Sequence, residues 1–75
     1  MPAIRPLHFQ RLIRVFERDG FRYDRAEGDH RIYVKAGVRR PLVIPAYQAV
    51  PVFVIKNLLR TAGMSRERYF EPLHG

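Results

Sequence analysis

Three isolated glycines, each suited to a turn, divide the first half of this chain into segments that fit only short secondary-structure elements. Gly20, Gly28 and Gly37 lie eight and nine residues apart, and the segments between them are FRYDRAE and HRIYVKA. Such segments are long enough for strands but short for helices. A third segment, LVIP, ends at Pro45 and follows Pro41, which predicts an edge strand because proline donates no ladder hydrogen bond. The sequence therefore predicts a three-stranded antiparallel meander.

Helical spacing flanks the meander on both sides. Pro6 suits the first turn of the first helix, and Gly20 suits its C-terminal end. The apolar face of this helix, LHFQRLIRVFERDGF, consists of Phe9, Leu12, Ile13 and Phe16. In the second helix, AYQAVPVFVIKNLLRTAG, Pro51 suits the first helical position and Gly63 ends the helix. Its apolar face consists of Ile55, Leu58, Leu59 and Ala62. MSRERYFE predicts a short last helix with Ser65 as its N-cap.

Alternation within the strands assigns side chains to faces, because successive strand residues point in opposite directions. In the first strand we expect Phe21, Tyr23 and Arg25 to share a face, with one face buried. In the second, Arg31, Tyr33 and Lys35 share one face, whereas Ile32, Val34 and the first residue, His30, share the other. The element order predicts an α+β domain in which helices cover one face of a three-stranded antiparallel sheet.

The charge distribution is strongly uneven. Fourteen Lys and Arg residues against seven Asp and Glu residues give a net charge of +7, and twelve of the fourteen are arginine. No acidic residue occurs between His30 and Arg66. Such a surface favours polyanions, and the arginine fork suits phosphate. A merely solvated basic surface is the alternative. We expect nucleic-acid contacts from Gly28, Arg31, Tyr33, Lys35, Arg39, Arg40, Lys56 and Arg60.

Several kinds of chemistry are not expected. The chain has no cysteine, one serine, and histidines only at positions 8, 30 and 74, a spacing that fits no zinc site. We therefore expect no metal and no cofactor. The N-terminus resembles no signal peptide, and no stretch approaches the 18 apolar residues of a membrane span. We expect a cytoplasmic protein without membrane contact.

His30 is the best-placed proton-transfer group in the sequence. It follows the turn Glu27-Gly28-Asp29, begins a strand and opens the acid-free region. Histidine readily accepts or donates a proton at neutral pH, and basic neighbours can hold a phosphate beside it. That combination suits cleavage of RNA. The alternative is an ordinary residue at the start of a strand, whose ring nitrogens are hydrogen-bonded within the fold. For His8, on the polar side of the first helix, and His74, in the tail, we expect no functional role.

An ordered set of motifs resembles the HicA toxins. The motifs are RDGF at 18–21, GDH at 28–30, RRPLVIP at 39–45 and VIKNLLRTAGMS at 54–65, and the resemblance extends from Leu7 to Phe70. It implies one HicA-like domain over residues 1–75, with a fold like that of double-stranded-RNA-binding domains, α-β-β-β-α.

The resemblance also implies an activity. HicA proteins are mRNA interferases that cleave RNA without a known cofactor, and a HicB antitoxin binds and blocks them. The histidine of the Gly-x-His motif is needed for cleavage and corresponds to His30. The middle position is often serine in the family but is Asp29 here. A negative charge there repels phosphate.

Two other functions fit the same residues. The first is a non-catalytic RNA- or DNA-binding module built on the basic surface. The second is a protein-interaction domain, in which Phe53 and the short third strand dock a partner. The second alternative depends on the position of Phe53, which we expect on the polar side of the second helix, beside Lys56 and Arg60.

Overall fold

The structure is a computed structural model that describes residues 3–74, and side chains only for residues 3–71. The elements are α1 (Phe9–Arg18), β1 (Arg22–Glu27), β2 (His30–Val34), β3 (Leu42–Pro45), α2 (Val52–Ala62) and α3 (Arg66–His74). The strands form one antiparallel sheet in the order β1-β2-β3. The predicted α+β architecture is confirmed, including β3 as an edge strand.

Strand register gives the sheet two unlike faces. Tyr33 pairs with Leu42, and Arg31 pairs with Ile44. Tyr33, Leu42 and Ile44 belong to the main hydrophobic cluster under the helices, and we call their side of the sheet the inner face. Cross-strand partners point to the same side of a sheet. The outer face therefore carries His30 and Ile32, the second of which is buried but does not belong to that cluster.

The core forms where the apolar faces of the helices meet the inner face of the sheet. Phe16 is fully buried, and its ring contacts Phe21 edge-on at a centroid distance of 5.8 Å. Each large buried side chain contributes roughly 1.5–3 kcal/mol when it leaves water. Phe21 is also fully buried, as are Leu12, Val15, Leu42, Ile44, Val50, Ile55 and Tyr69. Val15, Val50 and Tyr69 extend the core beyond the predicted helical faces.

The expected face assignment in β1 is wrong. A β-bulge at Asp24 shifts the register, so Tyr23 pairs with Tyr33 on the inner face whereas Arg25 pairs with Ile32 on the outer face. One extra residue in a strand reverses the alternation that follows it. The expected buried face is also missing, because all six residues of β1 are exposed. Only Phe21, just before the strand, is buried.

The beginnings of the two long helices differ from the prediction. α1 begins at Phe9, after Pro6, and His8 is its N-cap rather than a residue on its polar side. The Nδ1 atom of His8 accepts a hydrogen bond from the backbone N–H of Gln10 at 3.1 Å. Pro51 is the N-cap of α2 rather than its first helical residue. Proline has no backbone N–H and restricts the backbone conformation of the residue before it. It therefore indicates that a helix begins nearby, but it does not identify the first helical residue.

The ends of the helices follow the sequence more closely. Gly63 adopts the left-handed conformation with φ of 66° and terminates α2 as predicted. The Oγ atom of Ser65 accepts a hydrogen bond from the backbone N–H of Arg68 at 3.1 Å, which confirms it as the cap of α3.

Asp19, just after α1, joins three elements because its carboxylate binds Lys35 Nζ at 3.4 Å and Arg68 Nε at 3.0 Å.

The N-cap hydrogen bond gives a first prediction. We expect His8→Ala to lower the free energy of unfolding by about 1 kcal/mol, because one N–H of the first helical turn loses its acceptor. His8→Asn supplies an equivalent acceptor and should restore most of that loss. Urea unfolding followed by circular dichroism measures both. Equal destabilisation by the two variants would contradict the capping role.

Candidate active site

His30 lies at an open corner of the sheet. It is the first residue of β2, it is exposed, and it follows a two-residue turn of Gly28 and Asp29. Gly28 has φ of 56°, the left-handed conformation that favours glycine, and a Cβ atom there would have no neighbour within 4 Å. The backbone N–H of Ala46 donates to the Asp29 carbonyl at 2.7 Å. This bond fixes the turn against the segment that follows β3.

The cross-strand neighbour of His30 is a carboxylate that the sequence reasoning missed. Glu27 pairs with His30 across the turn, and directly opposed strand residues have Cβ atoms about 4.5–5.5 Å apart. The Glu27 carboxylate accepts a hydrogen bond from Arg25 Nε at 2.8 Å. The signal was present in Glu-Gly-Asp-His, because a two-residue turn places its first and fourth residues opposite each other.

The predicted contact residues Arg31, Tyr33 and Lys35 share one side of the sheet, as expected, but none of them is fully exposed. These side chains lie on the inner face because β2 is the central strand and helices cover that side. Tyr33 is only 6% exposed, and burial, with a smaller contribution from Glu17, raises its pKa. Lys35 is partly buried and pairs with Asp19. Tyr33 therefore cannot offer its ring face to a base as an exposed stacking platform.

Arg31 keeps a place beside the turn. Its Nη1 atom donates to the Gly28 carbonyl at 3.2 Å, and its guanidinium lies 5.8 Å from the centre of the Phe9 ring. Arg31 is thus held at the corner that carries His30, although it belongs to the inner face.

Two of the other predicted cations lie away from His30. Arg39 and Arg40 are exposed in the connection between β2 and β3, at the opposite end of β2. The strand alone separates the two ends by about 13 Å, at about 3.3 Å per residue. Arg39 and Arg40 therefore do not share a patch with His30. Lys56 and Arg60 are exposed on α2, where Phe53 is 68% exposed.

His8 is the other histidine whose side chain the structure describes. His8 caps α1, and the side chain of His74 lies outside the described residues. Within residues 3–71, no three His, Cys, Asp or Glu side chains come together as metal ligands. Among the helices that the structure describes, none is long and apolar enough to span a membrane.

Comparison with known proteins places this geometry in a family. The family model described as HicA toxin of bacterial toxin-antitoxin matches residues 9–64, from the start of α1 to just beyond the end of α2. The match includes the turn, His30 and all three strands. No curated protein matches the chain. Because the matched region covers most of the chain and all of its sheet, the chain belongs to the HicA toxin family of bacterial toxin–antitoxin systems.

Proposed function

We propose that this toxin is a metal-independent endoribonuclease that cleaves mRNA and that His30 performs its proton transfer. The observation that carries the proposal is the position of His30, which is exposed at a tight turn on the sheet face away from the core. A phosphodiester backbone can approach the imidazole there without displacing a helix. The family membership supports the same activity.

The chemistry needs a base and compensation of negative charge. His30 removes the proton from a ribose 2′-hydroxyl, and the 2′-oxygen forms a bond to the adjacent phosphorus. The bond between phosphorus and the 5′-oxygen breaks, and the leaving oxygen takes a proton from water or from a protonated group. Negative charge grows on the phosphoryl oxygens in the transition state, where nearby guanidinium groups stabilise it.

Glu27 has a positioning role in this proposal. Glu27 is the residue opposite His30 in the strand register, so its side chain borders the position of the imidazole. Its hydrogen bond to Arg25 limits the orientations that the carboxylate can take. Glu27 therefore acts through His30 and does not contact the RNA.

A cognate antitoxin is the partner that family membership implies. We propose a HicB-like protein that blocks access to His30. An antitoxin surface that packs over this exposed corner would close the approach to the imidazole.

Removal of the imidazole tests the catalytic assignment. We expect His30→Ala to lower the rate of RNA cleavage in EDTA by about 10²–10⁴-fold, the usual contribution of a general base. His8→Asn is the matched control, since it replaces another histidine while keeping a cap acceptor, and it should cleave like the original chain. Gel analysis of single-turnover cleavage measures the rates.

Two outcomes would contradict this assignment. Equal cleavage by His30→Ala would remove His30 from catalysis. Salt-sensitive RNA binding by every variant, with intact RNA throughout, would favour the non-catalytic binding module.

The charge of the turn gives a third prediction. We expect Asp29→Ser to lower the KM for RNA about two- to fivefold at low salt, because an exposed carboxylate beside His30 repels phosphate. The serine keeps the backbone carbonyl that binds Ala46, so the turn should persist. Glu67→Gln, which removes the same charge from α3, should leave the KM unchanged. An unaltered KM in Asp29→Ser would show that the side chain does not affect RNA binding.

The distant arginines give a fourth prediction. We expect the double variant Arg39→Ala/Arg40→Ala to weaken RNA binding and to reduce the salt slope by about 0.7 for each lost phosphate contact. The cleavage rate at saturating RNA should not change, because these residues lie at the far end of β2 from His30. Arg5→Ala/Arg18→Ala removes the same charge elsewhere and should keep the slope. A lowered rate at saturation would contradict this separation of binding from chemistry.

A further inference from the structure

A groove opens beside α1 where the edge of the sheet is not covered by a helix. It has a volume of about 390 Å³ and is bounded by α1 on one side and by β1 and β2 on the other. All six residues of β1 are exposed, so this edge of the sheet stays open beside α1. Its lining includes Phe9, Arg14, Glu17, Tyr23, Arg31 and Tyr33.

Aromatic rings form much of this lining. Tyr23 is 56% exposed, and its ring contacts Tyr33 edge-on at a centroid distance of 5.8 Å and an interplanar angle of 73°. That contact orients Tyr23 while leaving much of its ring accessible. The Tyr33 hydroxyl is protonated at neutral pH, as for an ordinary tyrosine, and burial raises its pKa further, so it remains a hydrogen-bond donor.

The charged side chains of the groove suit a nucleotide. Arg14 and Arg31 contribute two guanidinium groups against the single carboxylate of Glu17. Guanidinium groups bind phosphate and the edges of bases, and a carboxylate accepts hydrogen bonds from the amino groups of bases. A volume near the lower limit of ligand sites fits one nucleotide better than a folded protein segment.

Arg31 links the groove to the proposed catalytic corner. It lines the groove, it follows His30 directly in β2, and it is bound to the Gly28 carbonyl of the turn. Its contact with the Phe9 ring holds the guanidinium at the mouth of the groove. A strand of RNA that passes the turn can therefore contact His30 on the outer face and the groove on the inner face.

We propose that this groove is a nucleobase subsite, in which Tyr23 stacks on one unpaired base of single-stranded RNA and Arg31 binds the phosphate that leads toward His30. The inference rests on the proposed function and deepens it, since it names unpaired RNA as the substrate and assigns a side chain to one of its bases. Stacking on an aromatic ring is how many proteins bind single strands, and it tolerates different bases.

Binding of a six-nucleotide single-stranded RNA to the His30→Ala protein tests the subsite without cleavage. We expect Tyr23→Leu to raise the Kd about tenfold, because leucine is apolar but cannot stack. Tyr23→Phe is the matched control, since it keeps the ring, and it should bind within twofold of the parent. In ¹⁵N NMR spectra, the RNA should shift amide signals of α1 and of Tyr23 and Arg31.

The outcomes separate this proposal from the catalytic one. An unchanged Kd in Tyr23→Leu, or NMR shifts that leave the groove unaffected, overturns the subsite even if His30→Ala abolishes cleavage. Loss of antitoxin binding with unchanged RNA binding in Tyr23→Leu also overturns it and assigns the groove to a protein. A tenfold effect in Tyr23→Leu supports the subsite even if His30 proves dispensable for cleavage.

Discussion

The architecture depends on the burial of one face of a three-stranded sheet beneath helices. A sheet this small is stable only when it packs against another element, and here the inner-face residues Tyr33, Leu42 and Ile44 pack with Phe16 of α1. Because a chain of this size buries a limited core, the helices cover one side only. On the opposite side Ile32 is still buried, but His30, at the start of the central strand, lies at an exposed corner.

The basic side chains that the structure describes fall into two groups, those that pair with carboxylates of the fold and those that do not. Lys35 and Arg68 both bind Asp19, so these two cations fasten β2 and α3 to the end of α1. Arg25 is similarly occupied by the carboxylates of Asp24 and Glu27. The exposed Arg39, Arg40, Lys56 and Arg60 pair with no carboxylate within residues 3–71. A net charge of +7 therefore overstates what one surface offers to RNA.

The β-bulge at Asp24 has consequences for both proposed sites. It directs Tyr23 to the inner face, where its ring borders the groove, and Arg25 to the outer face, where it binds Glu27. Without the extra residue, both side chains would lie on the same face. The bulge thus determines both which side chain borders the groove and which side chain binds the carboxylate opposite His30. In this way one short strand contributes a side chain to each of the two proposed sites.

The sequence by itself determined the element order, the antiparallel meander, the caps at Gly63 and Ser65, and the position of His30 after a turn. These features depend on local spacing and on the conformations that glycine, proline and serine favour, so neighbouring residues suffice to predict them. The tertiary structure alone decided which face of β2 the helices cover, which buried Tyr33 and left His30 on the exposed side. It also decided the bulge and the pairing of Glu27 with His30. Alternation defines two faces without saying which is buried, because that depends on how distant helices pack against the sheet.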